Sequence, residues 1–170
     1  GKLLPGCEAK VVDGEIWVKS SSVMLGYYKN EEATKETLVD GWLRTGDLGY
    51  VDEDNFLYIT GRKKNLIILS NGENVSPEEL ENRISEEPLV AEVLVYEEDG
   101  QITAEIYPNE EYAAKKRIKD VQAELSARVD AMNRALPMFK QVRRIKLRET
   151  EFEKTTSRKI KRHYGTASSK

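Results

Sequence analysis

The sequence predicts an α+β protein, in which a β-rich first part is followed by a smaller part that mixes helices and strands. Two Asp-Gly pairs, Asp13-Gly14 and Asp99-Gly100, each separate two short apolar and β-branched runs, a pattern typical of β-hairpins. From Asn65 onward the pattern changes, and helical periodicity appears between the strand-like runs. The 170 residues are enough for one ordinary domain or two small ones.

The first part consists mainly of predicted strands. Residues 7–19 form a predicted hairpin, and residues 23–28 (VMLGYY) are predicted to continue the β-structure. A short surface helix or turn is expected over residues 30–41, followed by a strand from residue 42 that ends at a turn containing Asp47. A further strand is predicted from Phe56 to Thr60. Residues 1 to about 62 are therefore expected to be a piece of a β-barrel or β-sandwich, with Trp17 and Trp42 in its core.

A capped helix is predicted shortly after the change of pattern. Leu66 to Leu69 form an apolar run that ends at turn-forming residues, which predicts a second strand after the basic cluster at residues 62–64. Ser76 is a good N-cap, Pro77 suits the first helical position, and Glu79 completes a capping box. The sequence therefore predicts a helix over residues 76–87.

A longer amphipathic segment follows the second predicted hairpin. Apolar residues recur at spacings of three and four, which predicts one helix over about 110–135 that ends before Pro137. This stripe comprises Ile118, Val121, Leu125, Val129, Met132 and Leu136. A core face explains the stripe more simply than a coiled-coil partner surface. Residues 141–147 then alternate like a strand, and residues 150–162 are expected to be a loop followed by a short basic helical turn.

The composition favours a cytoplasmic globular protein. Hydrophobic residues make up 39% of the chain, and no run approaches the roughly 20 apolar residues of a membrane-spanning helix. The first residues lack the apolar stretch of a secretory signal. Cys7 is the only cysteine, so neither an internal disulfide nor a thiolate cluster for a metal is expected. We predict no metal site.

The charges are unevenly distributed along the chain. Between Lys140 and His163 there are ten Lys or Arg and three Glu, a net +7, whereas residues 1–60 carry six basic and eleven acidic residues, a net −5. The basic tail suggests a polyphosphate ligand or nucleic acid. Nucleic acid is the weaker choice, because no aromatic residues are interleaved with these charges as a stacking surface requires.

Four motifs occur in an order that resembles a known enzyme family. They are TGDLG at 45–49, ITGRKKNLI at 59–67, NGENVSPEELE at 71–81 and KTTSRKIKR at 154–162. Together they resemble the adenylate-forming enzymes, which include acyl-CoA synthetases, firefly luciferases and peptide-synthetase adenylation domains. The wording of the last two motifs is most similar to the long-chain fatty acid–CoA ligase branch. The resemblance implies that residues 1–63 end a large N-terminal domain and residues 64–170 form a small C-terminal lid domain.

Asp47 and Arg62 are the candidate nucleotide-binding residues. From the local sequence alone, Asp47 is more simply a stabiliser of its turn and Arg62 a surface residue. The resemblance favours the alternative, in which the Asp47 carboxylate accepts both ribose hydroxyls. Arg62 matches the family's arginine, whose planar guanidinium can bridge ribose and phosphate oxygens.

Lys64 and Gly72 have roles that only the resemblance suggests. Lys64 stands where the family keeps a hinge residue, and a solvated charge there can be exposed in both end states at little cost. From the local sequence alone, Gly72 is simply a turn residue, because glycine adopts a positive φ without strain. In the family, the matching glycine lets the pantetheine arm of CoA pass close to the backbone. The loop here is one residue longer than in many relatives.

Lys159 is the candidate catalytic residue. By composition it is one of many lysines in a solvated basic patch, but it matches the family lysine that contacts the acyl carboxylate and the α-phosphate. An ammonium between two approaching anions offsets their repulsion and stabilises the transition state. Arg158 occupies a position where the family usually has glycine. His163 is the lone histidine and is assigned no role, because no acid or serine partner stands at a recognisable spacing.

The resemblance implies a two-step ligase that uses ATP, Mg²⁺ and CoA to activate a fatty acid, none of them expected to be tightly bound to this chain. The phosphate loop and the acyl pocket of such an enzyme would lie upstream in a missing N-terminal domain, so the chain alone is expected to be inactive and to bind ATP poorly. An aryl-CoA ligase, a peptide-synthetase adenylation domain and a nonenzymatic basic domain for acidic partners remain alternatives. Peripheral contact with a membrane also remains open.

Overall fold

The computed structural model describes residues 1–162 and divides the chain into two compact units, Gly1–Leu66 and Ile67–Lys170. The α+β prediction is confirmed: the first unit is mainly an antiparallel sheet, and residues 67–162 of the second unit combine two small sheets with three α-helices.

The first unit is an open five-stranded antiparallel sheet with one short helix. Its elements are β1 (Glu8–Val12), β2 (Glu15–Lys19), α1 (Glu31–Thr37), β3 (Leu38–Val39), β4 (Trp42–Val51) and β5 (Leu57–Arg62). The strand order is β1-β2-β4-β3, and β5 also pairs with β4. Strand β4 therefore organises the unit, because β2, β3 and β5 all hydrogen-bond to it.

The hairpin turn predicted at Asp13 and Gly14 in this unit is confirmed. Asp13 and Gly14 both have positive φ, 50° and 77°, which matches the right-handed twist of the paired strands. Asp40 and Gly41 repeat this geometry between β3 and β4, with φ of 51° and 79°. An aspartate tolerates the left-handed region better than most residues, and glycine adopts it freely.

Three predictions for the first unit were wrong. Residues 23–28 form no strand, because Tyr27 donates its N–H to Thr34 Oγ1 and accepts from Asn30 in a turn that leads into α1. Asp47 lies within β4 and not at the end of a strand. Trp17 and Trp42 are only half-buried, and Lys10 Nζ lies 5.0 and 4.3 Å from their ring centroids. These rings therefore cover a face of the sheet that is partly open to solvent.

The second unit has a two-stranded and a three-stranded sheet. Its elements are β6 (Ile67–Ile68), β7 (Asn74–Val75), α2 (Pro77–Ser85), β8 (Val90–Glu98), β9 (Gln101–Pro108), α3 (Glu110–Lys116), α4 (Val121–Asn133) and β10 (Arg144–Leu147). β8 and β9 form the predicted hairpin through Asp99 and Gly100, and β10 lies parallel to β9. A short 3₁₀ turn, Lys63–Asn65, precedes β6.

Helix α2 begins as its sequence predicts, and its apolar face is buried. Ser76 Oγ accepts the N–H of Glu79, and Pro77 lies in the first turn. Glu79 does not complete a capping box, since its carboxylate instead pairs with Lys140 at 2.8 Å. Leu80 and Ile84 are almost fully buried. The helix thus contributes to the core of the second unit, whose buried cluster includes Val75, Leu80, Ile84, Val93, Ile106, Leu125 and Val129.

The long helix predicted over residues 110–135 is two helices, so that prediction was wrong in its continuity. Arg117 adopts the left-handed conformation, with φ of 55°, and caps α3. Asp120 then caps α4 by accepting the N–H of Ala123. The predicted core face is confirmed, because Leu125 and Val129 are buried in the core.

Candidate functional site

Asp47 and Arg62 lie opposite each other on neighbouring strands. They are direct partners in the β4–β5 register, and Arg62 Nε lies 2.7 Å from Asp47 Oδ1. The two side chains are 24% and 47% exposed, so the ion pair remains open to solvent. The structure therefore brings the two predicted nucleotide-binding residues together, and their roles in nucleotide binding stay predictions.

An open cleft of about 710 Å³ in the first unit borders this pair. Leu4, Val18 and Leu43 contribute apolar lining, whereas Asp47 and Arg62 contribute charged groups. A mostly apolar lining with a few polar groups is typical of small-molecule sites, and the volume falls within their usual range of about 300–1,000 Å³. The cleft could accept a nucleoside-sized group beside the charged pair.

The backbone around Asp47 is shaped by the two residues before it. Gly46 has a φ of 71°, which glycine adopts without strain. Thr45 Oγ1 accepts the N–H of Asp47 at 3.0 Å and donates to Ile16 O at 2.7 Å. The Thr-Gly-Asp sequence thus makes a local bend inside β4. The Asp47 carboxylate contacts Arg62 and does not stabilise a turn, so the plain interpretation of this residue was wrong.

Glu15 is a buried residue that the sequence analysis missed. It is only 3% exposed, and its carboxylate accepts from Gly46 N at 3.1 Å, Lys63 Nζ at 3.1 Å and Arg44 Nη2 at 3.4 Å. Burial acts to raise the pKa of Glu15, but hydrogen bonds from Lys63 and Gly46 outweigh it and the pKa is lowered. Glu15 thereby ties the residue before Asp47 to the residue after Arg62. Glu15, Gly46 and Lys63 are distant in sequence, and only the register of the paired strands brings them together.

We expect Glu15→Gln to lower the free energy of unfolding of the first unit by about 1.5 kcal/mol at pH 7, because it weakens charge-assisted hydrogen bonds. A carboxylate with a lowered folded pKa stabilises the fold above its unfolded pKa of about 4.3, and this contribution is lost as the pH falls through the folded pKa. Both tryptophans lie in this unit, so urea unfolding followed by tryptophan fluorescence measures it. The gap between the wild-type and variant proteins should shrink below about pH 4, and a gap that is constant with pH would contradict the assignment.

Lys64 lies in the exposed 3₁₀ turn between β5 and β6. Its neighbour Lys63 is held by Glu15, and Leu66 N donates to Lys63 O. The boundary between the two compact units follows two residues after Lys64. These features suit a hinge, and the hinge role of Lys64 stays a prediction.

Gly72 lies in the turn between β6 and β7. It has a φ of 83°, and its N–H donates to Leu69 O at 2.9 Å. A Cβ added there would meet no heavy atom within 4 Å. The turn alone therefore explains the glycine, and a close approach of CoA to its backbone remains a prediction.

Lys159 lies on a hairpin, which we call the Lys159 hairpin and define as Glu153–Lys161. Thr155 N donates to Lys159 O and Lys161 N to Glu153 O, both at 2.8 Å. The loop predicted for this region is confirmed, since residues 150–162 contain no helix or strand element, and an isolated bridge between Lys154 and Ile160 closes the loop into this hairpin; no helical turn forms within residues 150–162. Within the described chain, the exposed Lys159 side chain has no ion-pair partner. Its ammonium group is free to meet an anion.

Arg158 keeps the backbone geometry that a glycine would supply. Its φ is 61°, in the left-handed region, and its N–H donates to Thr155 O at 2.9 Å. The substitution of arginine for the family's usual glycine therefore leaves the tight turn of the hairpin in place. It does so at a conformational cost of about 1 kcal/mol, because a Cβ is disfavoured in this region.

Arg158→Gly is expected to raise the free energy of unfolding of the second unit by about 0.5–1 kcal/mol, since it relieves this strain. Thr156→Gly is the matched control, because Thr156 lies in the same turn with no positive φ. The control should be neutral or destabilising. Urea unfolding followed by far-UV circular dichroism compares the variants, and equal effects of both substitutions would contradict the proposed strain.

Several expectations concern the chain as a whole. In residues 1–162 no group of three or more His, Cys, Asp or Glu side chains is placed to hold a metal ion. In the same described range no helix is long and apolar enough to cross a membrane. His163 lies outside the described residues. Asp47, Arg62 and Lys64 belong to the first unit, whereas Gly72 and Lys159 belong to the second.

Comparisons with known proteins identify similar chains. The chain is 48% identical over 96 residues to the long-chain-fatty-acid–CoA ligase FadD15 of Mycobacterium tuberculosis, a match that covers 56% of this chain and 16% of that protein. It is 52% identical over 92 residues to a 2-succinylbenzoate–CoA ligase of Bacillus cytotoxicus, which covers 54% of this chain and 18% of that ligase.

A solved structure matches nearly the whole chain. The o-succinylbenzoate CoA synthetase of Bacillus subtilis in complex with its acyl-adenylate intermediate superimposes with a TM-score of 0.76 and 32% identity, and the match covers 94% of this chain and 34% of that one. The chain thus spans between a sixth and about a third of the length of these relatives. The family model of the AMP-binding enzyme C-terminal domain matches residues 64–167. The chain belongs to the AMP-binding enzyme C-terminal domain family.

Proposed function

We propose that this chain is the C-terminal part of an ATP-dependent acid–CoA ligase, and that its acid substrate is a long-chain fatty acid. In the first step the carboxylate attacks the α-phosphate of MgATP, so that a new P–O bond forms and pyrophosphate leaves. In the second step the CoA thiol attacks the acyl carbon, the thioester forms and AMP leaves.

The observation that carries the proposal is that the Asp47–Arg62 pair and the Lys159 ammonium are both open to solvent, so that each can contact a substrate. Asp47 and Arg62 form a solvent-open pair beside a cleft in the first unit. Lys159 presents an ammonium that has no ion-pair partner among residues 1–162, on the tight hairpin of the second unit. An acid suits ribose hydroxyls, and a mobile ammonium suits the meeting of a carboxylate with a phosphate.

The proposed division of labour follows from these positions. Asp47 accepts hydrogen bonds from the ribose, and Arg62 donates to ribose and phosphate oxygens. Lys159 neutralises the approaching anions during adenylation. The small domain then rotates about Lys64, withdraws Lys159 and brings the turn at Gly72 to the site, where CoA passes its backbone. One domain would thereby serve both steps.

Three alternatives differ in substrate or in class. The match to 2-succinylbenzoate–CoA ligases is as close as the match to the fatty acid ligase, so an aryl acid is the runner-up substrate. A peptide-synthetase adenylation domain differs further, since it does not use CoA. A nonenzymatic basic domain would use the positive charge of residues 140–163 to hold an acidic partner.

The test uses the full-length protein that contains this chain, with ATP and CoA and either oleate or 2-succinylbenzoate. We expect AMP release and an acyl-CoA product, measured by mass spectrometry, with oleate. Product only with 2-succinylbenzoate would replace the fatty acid by the aryl acid. Adenylate without any CoA ester would point to a different adenylate-forming enzyme. No adenylate with any acid, together with salt-sensitive binding of acidic polymers, would favour the binding domain. The 170-residue chain alone should form no product.

A further inference from the structure

Two partly buried carboxylates hold the two ends of the Lys159 hairpin. Residues 152 and 154 at its first end contact Glu92 of β8, and Arg162 just after its second end contacts Glu81 of α2. Both acids belong to the elements that build the core of the second unit. The hairpin itself consists mostly of exposed polar residues, so its place on the unit depends on these end contacts.

Glu92 makes two contacts at the first end. Its Oε2 accepts the N–H of Phe152 at 2.8 Å, and its other oxygen pairs with Lys154. The Glu92 side chain is 13% exposed. Phe152 is buried, with the Arg148 guanidinium 4.3 Å from its ring centroid. The chain is therefore fixed in position at the point where it enters the hairpin.

Glu81 connects the second end to both a helix and a strand. Its Oε1 accepts the N–H of Val95 at 2.8 Å, and its Oε2 accepts from Arg162 Nη2 at 2.5 Å. Arg162 also donates to Val95 O at 3.4 Å and pairs with Glu78 at 3.4 Å. The Glu81 side chain is 15% exposed. Charge-assisted hydrogen bonds that are shielded from water are stronger than exposed ones, and removing one partner leaves a charge unpaired.

Lys159 depends on this arrangement for its position. A lysine side chain is a flexible stem with a point charge, so it does not define its own position as a bidentate arginine does. No ion pair within the described residues directs its ammonium, and the path of the hairpin backbone is what sets where its stem begins. We infer that Glu81 and Glu92 are positioning residues, which act on the adenylation step through Lys159 without touching the substrate. The inference rests on the proposed function.

The first test measures the hairpin itself in the 170-residue chain. Amide hydrogen exchange of Thr155, Arg158 and Lys161, whose N–H groups close the hairpin, is followed by NMR. We expect Glu81→Gln and Glu92→Gln each to speed this exchange by about tenfold, because Gln keeps one backbone hydrogen bond but loses the charge of the ion pair. Unchanged exchange in both variants would overturn the inference.

Glu98→Gln is the matched control. Glu98 lies on β8 like Glu92, but its partners are Arg144 and Lys146 of β10, and it has no contact with the hairpin. We expect hairpin exchange in this variant to equal that of the wild-type chain. Equally fast exchange in Glu98→Gln would mean that any lost ion pair loosens the unit, and the specific role of Glu81 and Glu92 would be refuted.

The second test separates the two half-reactions in the full-length protein. Glu81→Gln and Glu92→Gln should slow acyl-adenylate formation by about tenfold, a modest loss for a misplaced group. The same variants should convert supplied acyl adenylate and CoA to thioester at the wild-type rate. Equal loss in both half-reactions would show a general structural defect and refute positioning. If the wild-type protein has no ligase activity, the proposed function fails, but the exchange result still decides whether these acids hold the hairpin.

Discussion

Lys159→Ala in the full-length protein is expected to slow acyl-adenylate formation by about 10²–10³-fold, the loss that follows removal of one preorganised electrostatic group. The physical reason is repulsion: a carboxylate and a triphosphate must meet, and the ammonium of Lys159 offsets their charges. Among the described residues this ammonium has no internal partner. Its removal should therefore leave the fold unchanged. Pyrophosphate release under single-turnover conditions measures the step.

Lys161→Ala is the matched control for this prediction. Lys161 lies on the same hairpin, and its substitution by alanine removes the same charge. The Lys161 ammonium, however, already pairs with Glu153 at 3.4 Å. If only the net positive charge of the tail mattered, both variants would lose activity alike. We expect a large loss for Lys159→Ala, little change for Lys161→Ala, and an unchanged rate of thioester formation from supplied acyl adenylate in both. Undiminished adenylation by Lys159→Ala would refute the catalytic assignment.

The sequence predicted best those elements that depend on neighbouring residues. Asp-Gly pairs set the hairpin turns at Asp13 and Asp99 because their left-handed backbone is a local requirement. Ser76 and Pro77 likewise set the start of α2. The break between α3 and α4 was missed because Arg117, and not glycine, takes the left-handed position, so the apolar period seemed continuous.

The parts that were missed depend on residues distant in sequence. Glu15 resembles any acid after a hairpin turn, and its burial follows from the register that places Gly46 and Lys63 beside it. The Lys159 hairpin shows no apolar pattern in the sequence. Its ends are held by ion pairs of Lys154 with Glu92 and of Arg162 with Glu81, which join residues more than 60 positions apart. Motif resemblance could indicate Asp47 and Lys159, but their supporting partners required three-dimensional contacts.

Gly49 ends the TGDLG motif and lies in β4 opposite Ile59 of β5. A Cβ added at this glycine would lie 2.1 Å from Tyr58 O and 2.6 Å from Ile16 Cδ1. The first of these atoms is backbone and belongs to the strand that pairs with β4. No side-chain rotation can relieve that clash, so β5 would have to move away from β4.

We expect Gly49→Ala to lower the free energy of unfolding of the first unit by about 3 kcal/mol, because overpacking between paired strands displaces backbone hydrogen bonds. Urea unfolding of the 170-residue chain, followed by tryptophan fluorescence, measures this unit because Trp17 and Trp42 both lie in it. Gly46→Ala is the control on the same strand. A Cβ there meets no atom within 4 Å, so only its positive φ is strained and about 1 kcal/mol is expected.

The same substitution should also affect the proposed nucleotide site. Asp47 faces Arg62 across β4 and β5, two residues before Gly49, and their 2.7 Å ion pair requires the present strand spacing. If β5 moves, the pair separates and the acid loses its fixed orientation toward the ribose. In the full-length protein, Gly49→Ala is therefore expected to raise the KM for ATP by about tenfold, measured below the unfolding temperature. If the Gly49→Ala protein kept the wild-type free energy of unfolding and the wild-type KM for ATP, the strands would tolerate the added methyl group. Gly49 would then not set the spacing of β4 and β5.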